Sequence, residues 1–349
     1  MMKNNKIETD WTQRLLQWFD KAKRSMPWRG ENDPYRIWVS EVMLQQTRVE
    51  QAIPFYLRFI ERFPSLEDLA LSPIEDVLNA WNGLGYYRRG KQLHQAVQII
   101  YYEHKGVFPK SFEDWLSLPG IGRYTAGALM SIALDKPCPA VDGNVARVIS
   151  RFKGIRDDVT KDITKKNIEG FLQQYFPVDR CGDFTQALME LGAMMCLSKN
   201  PKCLLCPLTG LCFANLHQAQ EELPVKKKKS SAIKEEWAVF LIETLNTVYL
   251  VSRKNEALLS DFWGLPMVYI EKTSAMEKAF KEKYGQSVKI VQKIGEMRYV
   301  FSHREWNMSI YQAKLNKTAR LLKEDCTYDD DCKNIAKPFQ KILSEFKIE

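Results

Sequence analysis

Leu118-Pro119-Gly120-Ile121-Gly122-Arg123-Tyr124-Thr125-Ala126 stands between two stretches of helical periodicity, and its reading decides the fold. Glycines at 120 and 122 permit a tight hairpin, and the apolar run 127–134 that follows at once reads as a second helix. The first amides of that helix lack partners within it and lie at the positive end of its macrodipole, so the hairpin can hold a phosphate through main chain alone. A plain helix–helix turn would use the same Pro-Gly pair, so the segment by itself says only that two helices meet here.

Outward from the hairpin, residues 11–216 read as consecutive helices. Apolar residues recur at spacings of three and four, with Pro or Gly at the joints, as in 38–46, 91–102 and 124–134. The run Glu221-Glu222-Leu223-Pro224-Val225-Lys226-Lys227-Lys228-Lys229-Ser230-Ser231 is charged, carries a proline and predicts an exposed linker over 221–233. Beyond it the texture changes: Trp237-Ala-Val-Phe-Leu-Ile-Glu and Val248-Tyr-Leu-Val-Ser predict paired strands, with further strands at 290–294 and 306–313 and helices at 276–284 and 335–346. The expectation is therefore an all-helical domain over 1–220 and an α+β domain over 234–349.

Composition sets outer limits. A chain of 349 residues, 45% hydrophobic and 27% charged, is that of a globular protein long enough for two cores, which excludes wholesale disorder. Its formal charge of +8 favours a polyanionic partner over a neutral one. Behind Met1-Met2-Lys3 no apolar stretch of signal-peptide length follows, and nowhere do eighteen apolar residues run together, so the expectation is a soluble, cytoplasmic protein without membrane contact. A monomer is expected as well.

Three further clusters carry chemistry. Val141-Asp142-Gly143-Asn144-Val145 precedes a helical run, where Asp142 would cap the helix; a cap held in that way is also a fixed anion, able to stabilise an oxocarbenium-like cation. Trp38-Val39-Ser40-Glu41-Val42-Met43-Leu44-Gln45-Gln46-Thr47 holds one carboxylate among large apolar residues. If buried, Glu41 would keep its proton near neutral pH and serve as a general acid; if solvated, it would do nothing of the kind. Cys196, Cys203, Cys206 and Cys212 form C-x6-C-x2-C-x5-C, while Cys138, Cys181, Cys326 and Cys332 are scattered. In a cytosolic chain such a cluster reads as a metal site, and a single C-x-x-C knuckle favours an iron–sulfur cluster over zinc, which generally takes two.

Hairpin, Val-Asp-Gly-Asn-Val and cysteine cluster together resemble the helix-hairpin-helix superfamily of base-excision DNA glycosylases, over residues up to about 216. The resemblance implies an all-α helix-hairpin-helix glycosylase core with a [4Fe-4S] cluster on Cys196, Cys203, Cys206 and Cys212, and a loop whose Lys199 and Lys202 could face DNA. Within that superfamily the Ser-Glu-x-Met-Leu-Gln-Gln-Thr pattern resembles the MutY-type adenine glycosylases, in which the glutamate is the essential acid. Carried over by position, the likeness implies that Glu41, Tyr124, Asp142 and Asn144 form the catalytic set. Trp28 and Arg29 would border an adenine pocket. Gln46, Leu84, Tyr86, Gly120, Gly122 and Arg123 would contact DNA, with Gln46 and Tyr86 entering the base stack; for Tyr86 and Tyr87 the alternative is packing in a helical core.

Branches of the superfamily that resemble endonuclease III carry a lysine where Tyr124 stands, and a phenol cannot form a Schiff base, so base removal without strand cleavage is the expectation. Residues 234–349 resemble the Nudix-like domain that MutY-type enzymes append. There Phe301, Ser302 and His303 match a loop that reaches 8-oxoguanine, and Trp263-Gly264-Leu265-Pro266 departs from the family turn. Glu277 and Glu282 do not complete a magnesium-binding Nudix box, which argues against nucleotide hydrolysis. The implied partner is duplex DNA holding adenine opposite 8-oxoguanine or guanine; the competing readings are a pyrimidine glycosylase with lyase activity and a lesion-binding protein without chemistry.

Overall fold

In α1 (Met2–Ala22), Trp11, Leu15 and Phe19 fall on one face and are buried. The computed structural model describes residues 2–226, 233–244, 247–259, 262–270, 276–301, 304–315, 325–327 and 335–346. They divide into two compact units, Met1–Lys227 and Lys228–Glu349.

The first unit continues with α2 (Pro34–Leu44), α3 (Val49–Arg62), α4 (Leu66–Leu71), α5 (Ile74–Ala80), α6 (Arg88–Tyr102), α7 (Phe112–Ser117), α8 (Arg123–Ala128), α9 (Gly143–Lys153), α10 (Asp162–Leu172), α11 (Cys181–Met194) and α12 (Phe213–Leu216). A π-helical turn, Leu129–Ala133, prolongs α8. These helices build two hydrophobic cores. One gathers Trp38 and Val42 of α2, Phe59 of α3, Leu93 and Val97 of α6, Trp115 of α7 and Ala126 of α8. The other gathers Trp11 and Leu15 of α1, Val145 and Ile149 of α9, Ile168 of α10, and Phe184 and Leu188 of α11. Gly127 of α8 lies directly on the chain leading to Asp142: a Cβ at Gly127 would come within 2.1 Å of the Pro139 carbonyl oxygen.

In the second unit, β1 (Ile233–Thr244) lies at the middle of a mixed sheet with β2 (Thr247–Ser252), β3 (Trp263–Gly264), β4 (Met267–Tyr269), β5 (Val288–Val300), β6 (Arg304–Leu315) and β7 (Asp325–Thr327). The order runs β3-β2-β1-β6-β5, with β4 on β1 and β7 on β2; β1 and β6 are parallel and the other pairs antiparallel. Alternation along β1 sends Val239 and Leu241 toward the face covered by α14 (Lys337–Glu345), and Ala238, Phe240 and Ile242 toward the face covered by α13 (Met276–Tyr284).

Three expectations need correction. Helix α2 stops at Leu44 and not Gln46, because Gln45 is extended and Gln46 takes a left-handed φ of 59°. Within the segment read as an exposed linker, Glu221, Glu222 and Lys226 are exposed but residues 223–225 are docked on the first unit. Leu223 is buried with Ala214 and Ala219, the Leu223 carbonyl accepts from Arg151 Nε at 2.8 Å, and the Val225 carbonyl accepts from the Val159 amide at 3.1 Å. Leu-Pro-Val is an apolar trio, and it folds back onto the helices despite its charged neighbours. Leu84 is 4% exposed and packs in the first core, so its side chain is not offered to DNA.

Candidate active site

Pro34 at the start of α2, with Asp33 capping the Tyr35 amide at 2.9 Å, sets a helix whose face from Trp38 to Met43 is buried, and Glu41 lies within it at 6% exposure. Its Oε2 is 2.6 Å from Tyr124 Oη, which α8 supplies just after the Gly120–Gly122 hairpin. Burial pushes the Glu41 pKa up to about 7; the Tyr124 hydrogen bond works downward, the Asp142 charge upward and the Arg29 charge downward. Burial drives the Tyr124 pKa well above its ordinary value, so the phenol stays a donor.

Asp142 caps α9, with Oδ1 accepting from the Val145 amide at 2.7 Å and Oδ2 from Asn144 Nδ2 at 3.0 Å. Burial raises its pKa, against the pull of those hydrogen bonds and of the Arg147 charge. Asn144 is in turn fixed by Arg147, whose Nη2 donates to Asn144 Oδ1 at 2.8 Å and to the Gly192 carbonyl at 2.7 Å, while Nε donates to the Cys196 carbonyl at 2.7 Å.

Glu41, Tyr124, Asp142, Asn144, Trp28 and Arg29 all line one cavity of about 180 Å³. Among the described residues two buried donors of Arg29, Nε and Nη1, find no hydrogen-bond partner, which leaves them for a ligand with acceptor atoms. Sequence reasoning missed Glu190, on the same wall. It is 3% exposed and accepts from Arg24 Nε at 2.8 Å and Arg29 Nη2 at 3.4 Å. Burial works to raise its pKa, but the hydrogen bonds from Arg24 and the charges of Arg29 and Arg24 outweigh it and hold the group ionised. A lone glutamate in Phe184-Thr-Gln-Ala-Leu-Met-Glu190-Leu-Gly carries the same signal that picked out Glu41.

Gln46, Tyr86, Gly120, Gly122 and Arg123 do not line that cavity. Gln46 is exposed, and Tyr86 is 53% exposed with a φ of 52°; it is not packed in a helical core. Gly120 turns the hairpin at a φ of 77°, and Gly122 precedes α8. The Arg123 side chain turns to Glu169 at 2.5 Å and over the Phe112 ring, leaving its main chain at the helix start. Phe301 packs on Trp306 with ring centroids 4.6 Å apart, whereas Ser302 and His303 lie outside the described residues.

Cys196, Cys203, Cys206 and Cys212 ring a second cavity and form no disulfide. Arg151 Nη1 approaches Cys196 Sγ at 3.4 Å and Gln220 Nε2 approaches Cys203 Sγ at 3.9 Å. Among the described residues no three His, Cys, Asp or Glu side chains converge on a single-ion site. Four sulfurs line this cavity, N–H donors approach two of them, and no carboxylate or imidazole lines it, a donor set that fits a thiolate-bound metal group.

The sequence matches the HhH-GPD superfamily of base excision DNA repair proteins over residues 39–174, the span that holds Glu41, the hairpin and Asp142. Over 345 residues it is 34% identical to the adenine DNA glycosylase of Buchnera aphidicola subsp. Schizaphis graminum (strain Sg), covering 96% of this chain and 98% of that protein. The chain belongs to the adenine DNA glycosylase family. The Homo sapiens adenine DNA glycosylase is 32% identical over 357 residues, covering 85% of this chain and 65% of that protein. Among solved structures, a thermostable thymine-DNA glycosylase superposes with a TM-score of 0.56 at 27% identity, over 61% of this chain and 99% of that one. A non-covalent endonuclease III–DNA complex gives a TM-score of 0.52 at 22% identity over 63% of this chain and all of that one (100%), a likeness of fold.

Proposed function

We propose that this chain removes adenine paired with 8-oxoguanine or guanine in duplex DNA and leaves an abasic site without cutting the strand. The observation that carries the reading is the single cavity into which both Glu41 and Asp142 open, one buried with a pKa raised to about 7 and the other pinned as a helix cap. Glu41 gives its proton to adenine N7, which makes the base a better leaving group. Cleavage at C1′ leaves positive charge on the sugar, and Asp142, held by Asn144 and the Val145 amide, stabilises it as an ion pair or captures it as a brief covalent adduct until water completes the substitution. Tyr124 orients Glu41, and Arg29 offers its free donors to the acceptor edge of the purine. A lyase would need an amine where Tyr124 stands.

DNA contact falls to the hairpin at Gly120, Gly122 and Arg123 and to Gln46 and Tyr86, which enter the stack as the adenine leaves it. The four cysteines would hold a [4Fe-4S] cluster, which when bound cross-links the loop of residues 196–212 and adds an electron-transfer centre. The second unit acts as a Nudix-like reader of 8-oxoguanine through Phe301, Ser302 and His303. No helix among the described residues is long and apolar enough to cross a membrane. A monomer acting on DNA in the cytoplasm is part of the same proposal.

The test is an adenine:8-oxoguanine duplex incubated with protein and examined with and without alkali. A break only after alkali supports the reading; a break without alkali indicates a lyase, and an intact strand a binding protein. Ser302→Ala combined with His303→Ala should erode the preference for 8-oxoguanine over guanine more than it weakens binding to undamaged duplex, and equal losses on both duplexes would remove the loop from recognition.

A further inference from the structure

Gln46, just past α2, and Tyr86, just before α6, both hold the left-handed backbone that their side chains disfavour. One side chain holds both segments. Arg89, in the first turn of α6, donates from Nη1 to the carbonyls of Val42 (2.8 Å), Met43 (2.9 Å) and Gln45 (2.5 Å). From Nη2 it donates to the Gly85 carbonyl (3.1 Å) and to Thr47 Oγ1 (3.3 Å). The guanidinium lies over the ring of buried Trp81 at 5.6 Å and that of Tyr86 at 5.3 Å, and Trp81 Nε1 also donates to the Gly85 carbonyl, at 3.2 Å.

An arginine is out of place in the first turn of a helix, where the macrodipole is positive, and burial here lowers its pKa to about 10. What it meets are the last carbonyls of α2, the negative end of another helix and groups that no amide within α2 satisfies. The planar fork of guanidinium donors makes five contacts on two chain segments at once, more than the three N–H groups of one ammonium can match.

We infer that Arg89 is a positioning residue that braces the Gln46 tip and the Tyr86 tip into one rigid two-pronged wedge. The inference rests on the proposed insertion of those two residues. Two loosely held tips would each have to be ordered during insertion, whereas braced tips meet the duplex already in place. The same hydrogen bonds also steady the end of the helix that carries Glu41, so the test must separate the wedge from the acid.

Single-turnover excision is measured for the wild type, Arg89→Met and Arg89→Lys on two substrates: adenine paired with 8-oxoguanine, and the same adenine in a one-nucleotide bulge, where it needs little prying from the stack. Arg89→Met should lose about ten- to a hundredfold on the paired duplex and within about threefold on the bulge, because the wedge serves only the extrusion step. Arg89→Lys should fall between Met and wild type on the paired duplex, and it carries the comparison if the methionine variant does not fold. Equal losses on both substrates would mean that Arg89 serves only the placement of Glu41, and full activity of the lysine variant would mean that charge alone suffices; either result overturns the brace. With 2-aminopurine in place of the adenine, wild type should brighten on binding and Arg89→Met should not. If wild type itself stays dark, the insertion reading of Gln46 and Tyr86 fails; if both brighten equally, the brace fails.

Discussion

Replacing Tyr124 by phenylalanine should move the alkaline limb of excision upward in pH. Glu41 acts in its protonated form, so the rate falls as it ionises, and its pKa of about 7 places that limb near neutrality. The Tyr124 phenol, 2.6 Å from Glu41 Oε2, stabilises the carboxylate and so works against the proton the reaction needs. A hydrogen bond to a charged group contributes about 1.5–3 kcal/mol, and 1.36 kcal/mol corresponds to one pH unit. Because a protonated carboxyl also bonds the phenol, only part of that energy discriminates, and the expected displacement is about one unit, from about 7 to about 8. Losing the hydroxyl also dries the pocket, with the same sign. The assay is single-turnover release of adenine from an adenine:8-oxoguanine duplex between pH 5 and 9.5. A limb that stays near 7 or moves to lower pH would refute the reasoning, either because Tyr124 does not lean on the ionised acid or because another group titrates.

Glu41→Gln should keep lesion binding, lose excision and gain stability in alkali. Folding favours the protonated carboxyl, so the wild type loses about 3 kcal/mol as the pH climbs from 4.5 through about 7, while glutamine titrates nothing. Melting temperatures at pH 5 and 8.5 check this, and an equal offset at both would contradict it. Asp142→Asn keeps the cap on the Val145 amide but turns an NH2 toward Asn144 Nδ2, so melting should fall by an amount worth about 1 kcal/mol while excision drops about a hundred- to a thousandfold; a near-normal rate would clear Asp142 of any part in stabilising the cation. Gly127→Ala drives a methyl against the Pro139 carbonyl and should cost about 1–3 kcal/mol, with excision falling further than DNA affinity; a variant that melts lower yet excises at the normal rate would show that the Tyr124–Asp142 spacing tolerates the shift.

What could be read from the chain was what is local in it. The hairpin, the cap at Asp142 and the cysteine spacing each occupy a few consecutive residues, and Glu41 stands out as a carboxylate without polar company. Glu190 bears that same mark on α11 and was passed over for want of a motif around it. Arg89 bears none, because its acceptors are mostly main-chain carbonyls, which any residue supplies, and the segment they belong to is remote in sequence. For the same reason nothing in Gln45-Gln46-Thr47 announces that α2 ends at Leu44: the break is held by Arg89 from another helix. The parallel pairing of β1 with β6, such as Val239 beside Ile310, is likewise a long-range choice that strand patterning leaves open.

Glu41 and Tyr124 belong to elements of one hydrophobic core, Asp142 and Glu190 to those of the other. Neither half alone owns a reactive centre, and the span across which a sugar must fit is a property of their junction. Sequence drift deep inside either block bears first on stability, but drift at the contact of Gly127 with Pro139, beside the segment that delivers Asp142, changes the gauge of the gap itself.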